Sequence, residues 1–150
     1  LAGRAKVPAM ASQDHHFDWR LPAAVALGGG IGASLRHGFN LAFPTIEGTF
    51  PLTTFAENAV GAFALGLVMV LIIERFQTPR YLQPMLCTGV LGSFTTFSNL
   101  SLQAVKLADG GQWALAIGYV WGSIGAGLLA ALAGMLLARR IARRPAEVQP

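Results

Sequence analysis

The residues able to do chemistry are polar groups set inside apolar sequence. The densest run holds Gly89, Gly92, Ser93, Thr95, Thr96, Ser98, Asn99 and Ser101. Glycines followed by two β-branched threonines weaken a helix, so the run reads as a break near Gly92–Ser98. A break frees main-chain carbonyls, which apolar surroundings tolerate only when they are buried or bound to a cation. One reading is therefore a cation site of main-chain oxygens around Gly92 and Thr95. The other is a kink whose hydroxyls bond back to the preceding turn.

A second group offers donors. Asn58 carries two N–H donors and one acceptor, and Thr54 shares its helical face. Tyr119 and Ser123 lie one turn apart on another segment. Hydroxyl and amide donors without a fixed positive charge suit a small, strongly hydrated anion that must also leave. Phe55, Phe63, Phe94 and Phe97 cluster near this polar band. Core packing is their common use, and a ring edge is also electropositive enough to face an anion. Arg36 either snorkels to headgroups or counters an anion at a vestibule. Glu57 sits about 100° round the helix from Asn58. Enzymatic chemistry finds no footing: there is no HExxH motif, nucleophile–base pair or phosphate loop. Asp14, His15 and His16 read as a solvated tail, and Cys87 alone excludes an intrachain disulfide framework or a Cys-rich zinc site.

The elements that must position these residues follow from composition. Hydrophobic residues make up 53% of the 150 and charged residues 12%, against about 25% charged in a typical soluble domain. Tyr81 to Val105 is 25 residues without a charge and Gly110 to Ala138 is 29, each beyond the roughly 20 that cross a hydrocarbon core. Leu21 to Phe43 and Thr49 to Ile73 hold one internal charge each, Arg36 and Glu57. The expected fold is an all-α membrane protein with four transmembrane helices, at about 21–43, 50–74, 81–107 and 112–138, the third broken. Pro44, Pro51, Pro79 and Pro84 mark the ends, and the short links make neighbouring spans antiparallel. Residues 1–20 form a disordered tail without the apolar stretch of a signal peptide, 21–138 the channel-sized membrane domain, and 139–150 a basic tail. The sequence begins on Leu1, and Met10 is a candidate start.

Lysine and arginine set orientation. With four spans, one side holds Arg4, Lys6, Arg20, Arg75, Arg80, Arg139, Arg140, Arg143 and Arg144, and the other at most Arg36 and Lys106. Nine against two places both termini in the cytoplasm. The basic tail then anchors the last helix to anionic headgroups, so the net charge of +4 does not call for nucleic acid. Gly28-x-x-x-Gly32, Gly118-x-x-x-Gly122 and Ala130-x-x-x-Gly134 allow close helix pairing. Four short helices enclose too little interior for a conduit shielded from lipid, so a dimer is expected.

Three segments together resemble the Fluc/CrcB fluoride channels: Gly30-Ile31-Gly32-Ala33-Ser34-Leu35-Arg36, Asn58-Ala59-Val60-Gly61-Ala62-Phe63-Ala64-Leu65-Gly66, and Gly89-Val90-Leu91-Gly92-Ser93-Phe94-Thr95-Thr96-Phe97-Ser98. Their order and spacing cover roughly 22–138, and Gly-x-x-Gly-x-x-Thr-Thr-Phe-Ser is the specific element. The resemblance implies an antiparallel dual-topology dimer in the cell membrane with two fluoride pathways. It implies a passive, fluoride-selective channel that lowers cytoplasmic fluoride. It also implies a structural, untransported sodium ion, Na+, held by main-chain carbonyls of both subunits, which fall here on Gly92 and Thr95. By motif position the fluoride pathway takes Asn58, Phe97, Tyr119, Ser123 and, at the vestibule, Arg36.

Departures from the family pattern carry information. Leu100 stands where a second pore phenylalanine is usual, Gln103 where an acid is common, and Gly127 and Ala131 where later hydroxyls of the fourth-helix track fall. A subunit that inserts both ways needs a weak charge bias, which this one lacks. Pairing with an oppositely oriented paralogue, with one complete pathway, is expected alongside a homodimer with substituted pore residues. Two further readings stand: a non-conducting partner subunit, and a proton-coupled four-helix exporter of cationic drugs, for which Glu57 is the available carboxylate.

Overall fold

The computed structural model describes residues 18–74 and 79–142. Its elements are α1 (Arg20–Ala42), α2 (Leu52–Glu74), a π-helical segment (Pro84–Leu91), α3 (Gly92–Phe94), α4 (Phe97–Asp109) and α5 (Trp113–Ala142). Among the described residues there is no strand. The π-helical segment, α3 and α4 form one interrupted pass, so the described residues make four passes, each within a few residues of its expected bounds. The expected tails at 1–20 and 139–150, with Asp14, His15 and His16, lie largely outside the described residues. Helix α5 continues through Arg139 and Arg140 to Ala142, because cations at a helix C-terminus favour the macrodipole and Arg139 reaches Glu74 at 3.5 Å.

Helices α2 and α5 are long and apolar enough to cross a membrane, yet only 28% and 11% of their most apolar windows is buried in the fold. Leu128, Leu129, Leu132, Leu136 and Trp121 of α5 are all exposed. Helices of a water-soluble core would hide such side chains; these turn them outward, as a lipid solvent permits.

Glycine decides which helices meet. Helix α2 packs chiefly on α5, and α1 on the π-helical segment and α3. Gly66 lies against the Ala131 carbonyl and Gly134 against that of Phe63; Gly28 and Gly32 lie against those of Met85 and Val90. A Cβ at any of the four would collide with backbone, which cannot swing aside as a side chain does. Gly32→Leu is therefore expected to destabilise the protomer by about 1–3 kcal/mol, read as earlier thermal unfolding in detergent. Gly30, with nothing within 4 Å of an added Cβ, should tolerate alanine. Gly118 and Gly122 face nothing within the protomer, so this pair, unlike the other two, joins no helices of the same chain.

Contacts between links define the two ends. At one, the Tyr81 hydroxyl donates to Asp18 and Arg80 lies 3.8 Å from it. The Tyr81 bond holds the Asp18 carboxyl below its ordinary range, with Arg80 assisting. A lowered carboxyl pKa means that this tie is present above the unfolded value and lost only as acid passes below the folded one. At the other end Lys106 pairs with Glu47 at 3.2 Å, and Gln112 Nε2 donates to the Gly48 carbonyl at 3.1 Å.

Candidate functional site

The third pass breaks at two residues. Thr95 and Thr96 take extended backbone, with φ/ψ of −73°/154° and −146°/118°. The break falls inside the expected Gly92–Ser98 window. Asn58 holds it open from α2. Its Nδ2 donates to the Thr96 carbonyl at 3.0 Å, and its Oδ1 accepts from the Thr96 N–H at 2.8 Å. One side-chain amide thus meets both main-chain polar groups of one residue, as a neighbouring strand would.

That clamp redirects helical hydrogen bonding. In a continuous helix the Thr96 N–H would close on the Gly92 carbonyl, and the Asn99 N–H on that of Thr95. Here the first goes to Asn58 Oδ1, and the second to Thr96 Oγ1 at 3.2 Å, as an N-cap of α4. The carbonyls of Gly92 and Thr95 lose these donors. The hydroxyl of Thr95 also bonds back to the preceding turn, Oγ1 donating to the Leu91 carbonyl at 3.0 Å. Gly61 allows the approach, since a Cβ there would strike the Thr95 side chain.

A surface groove of about 400 Å³ runs beside the break, lined among others by Asn58, Thr96, Phe97, Ser123 and Gly127. Phe97 is 78% exposed at the first position of α4, while Phe94 and Phe55 pack edge-on against Phe39 and Phe50. Ser123 Oγ is buried and unpartnered. The fold therefore brings Asn58, Phe97 and Ser123 together on one open wall.

Two expected site residues sit elsewhere. Tyr119 is fully buried, packed with Leu100, Leu107 and Ala116 and edge-on to Phe50 at 5.5 Å between ring centroids; its hydroxyl lies beside Thr54. Arg36 is half-buried on α1, near Asn40 and Glu57. Asn40 was not legible as a site residue from the sequence. Its Nδ2 donates both to the Arg36 carbonyl at 2.8 Å and to Glu57 Oε1. The unusual sequence signal was Glu57 itself, a carboxylate in an apolar span that required a donor from some neighbouring helix.

A profile of the family described as CrcB-like protein, Camphor Resistance (CrcB), matches residues 23–135, which takes in the break, its clamp and the groove. The Fluoride-specific ion channel FluC 3 of Streptomyces avermitilis is 48% identical over 124 residues; the match covers 79% of this chain and 61% of that relative, less than two thirds of its length. Fluoride-specific ion channel FluC 2 of Nocardia farcinica is 43% identical over 120 residues, covering 80% of this chain and 83% of the relative. The Fluoride-specific ion channel FluC of Chloroflexus aurantiacus is 42% identical over 117 residues, covering 77% and 93%. With outward-facing apolar helices and a matching profile through all four passes, the chain is a membrane protein of the CrcB family.

Proposed function

We propose that this chain is a subunit of a passive fluoride-selective channel that lets fluoride out of the cell. The similar relatives are named fluoride-specific ion channels, and the observation that carries the reading is the open wall of Asn58, Phe97 and Ser123 beside a clamped helix break. An Asn amide has two N–H donors and the Thr96 carbonyl uses one, which leaves one for an anion. A phenylalanine so exposed beside that donor offers its ring edge. A wall open on one side needs a second wall, and an antiparallel second subunit in the cell membrane, with the termini of this one cytoplasmic, supplies it.

The carbonyls of Gly92 and Thr95 fit a structural sodium ion, since each has given up its helical donor. Two hard oxygens from each subunit would meet it at the dimer centre. The ion would supply fixed positive charge between the two breaks and tie the subunits together, without being transported. Numbered relatives occur together in Streptomyces avermitilis, which together with the nine-to-two charge bias supports a paralogous heterodimer over a homodimer. Gly127 and Leu100 lining the groove, where the family carries a hydroxyl and a phenylalanine, favour a second reading: this subunit completes its partner's pathway and conducts little through its own.

The test is efflux from proteoliposomes, comparing fluoride with chloride, for the chain alone and co-expressed with the paralogue. Fluoride efflux without chloride efflux is expected. Efflux from the pair only would select the heterodimer, and no fluoride efflux in either would refute the proposal.

A further inference from the structure

Glu57 is fully buried one residue before the Asn58 clamp. Asn40 Nδ2 meets its Oε1, while its Oε2 has no hydrogen-bond partner. From α1 it faces Asn40 and, electrostatically, Arg36, the one cation among the described residues that acts on it; His37, beside Arg36, is exposed. From α5 it faces Tyr119, whose hydroxyl lies beside Thr54. From α2 itself the neighbouring polar groups are Thr53, bonded to the Phe43 carbonyl at 2.6 Å, and Thr54. Arg36 and Glu57 make no direct ion pair, so their charges act through the field rather than through contact. In a medium of low dielectric that field is weakly screened and reaches the next residues along the route.

The geometry points to Glu57 as a rate-setting residue of the anion route: an internal counter-charge that offsets Arg36 and limits how strongly this end of the channel draws an anion toward Asn58. The inference rests on the proposed fluoride function and deepens it. Asn40 anchors the carboxyl without neutralising it, since it supplies an N–H and no positive charge.

Glu57→Gln tests this, because glutamine keeps an oxygen for the Asn40 bond and removes only the charge. At low ionic strength and low fluoride, efflux from Glu57→Gln liposomes is expected to rise by on the order of tenfold, and added inert salt should reduce the gain. Arg36→Gln should move efflux the opposite way. A purely structural Glu57 predicts wild-type efflux in Glu57→Gln at every salt concentration, and that result overturns the inference. So does a loss of efflux with the fold intact, which would mark Glu57 as a carrier of protons, as in an exporter. If Glu57→Gln does not fold, the Glu57 carboxyl infrared band is compared in wild type and Arg36→Gln; an unmoved band overturns the coupling and a shifted band supports it. Absence of fluoride efflux in the wild type, alone or paired, refutes the proposed function instead, and the band shift still reports whether the two charges are coupled.

Discussion

Asn58→Ser should abolish fluoride efflux and destabilise the protein together. The clamp needs a planar amide long enough to offer a donor and an acceptor side by side; a serine hydroxyl is shorter and cannot reach both groups of Thr96. Thr96 is buried, so its N–H and carbonyl would each be left unpaired, at about 1–3 kcal/mol apiece. The freed N–H also regains the option of bonding to the Gly92 carbonyl, which would heal the break and withdraw an oxygen from the proposed sodium site. Thermal unfolding in detergent and electrode-measured efflux from liposomes read the two effects. Asn58→Asp separates them further. It retains an acceptor for the Thr96 N–H but loses both donors and adds a negative charge, so efflux should fail while less stability is lost. Wild-type efflux in Asn58→Ser would show that the anion does not pass this residue.

Phe97→Ile should have the complementary result: efflux lowered on the order of a hundredfold, a loss of the size seen when one preorganised electrostatic contact is removed, with the protomer as stable as before. Phe97 is 78% exposed and contributes almost nothing to the protomer's own packing, so the substitution should change stability by less than about 0.5 kcal/mol. What it removes is the ring edge, which an aliphatic side chain of similar bulk lacks. The pair of variants is informative because one residue both builds the break and lines the groove, whereas the other only lines it. If Phe97→Ile conducts like wild type, the exposed ring faces lipid or the partner's packing surface instead of the anion.

Much of this was legible in one dimension. Uncharged stretches of 25 and 29 residues announce membrane passes because a charge at membrane depth is costly whatever the tertiary arrangement. The Gly–Thr run locates the break because weak helix propensity is a local property. The contact glycines Gly28, Gly32 and Gly134 were also visible from spacing, but spacing alone did not distinguish them from Gly118 and Gly122, which meet nothing in the protomer. That difference depends on which helix lies opposite.

The tertiary structure alone decided the partners. Asn58 meets Thr96 across 38 positions of sequence, and Glu57 meets Asn40 across 17. No periodicity encodes such pairings, because they follow from how α2 is placed against α1 and the broken pass. The same placement buries Tyr119 beneath Phe50 while leaving Ser123, one turn on, beside the groove. A helix face is continuous, but its surroundings change along its length. The sequence determined which polar groups must be satisfied inside the membrane; the fold decided which group satisfies each, since a hydrogen bond demands a distance and a direction that only three-dimensional packing supplies.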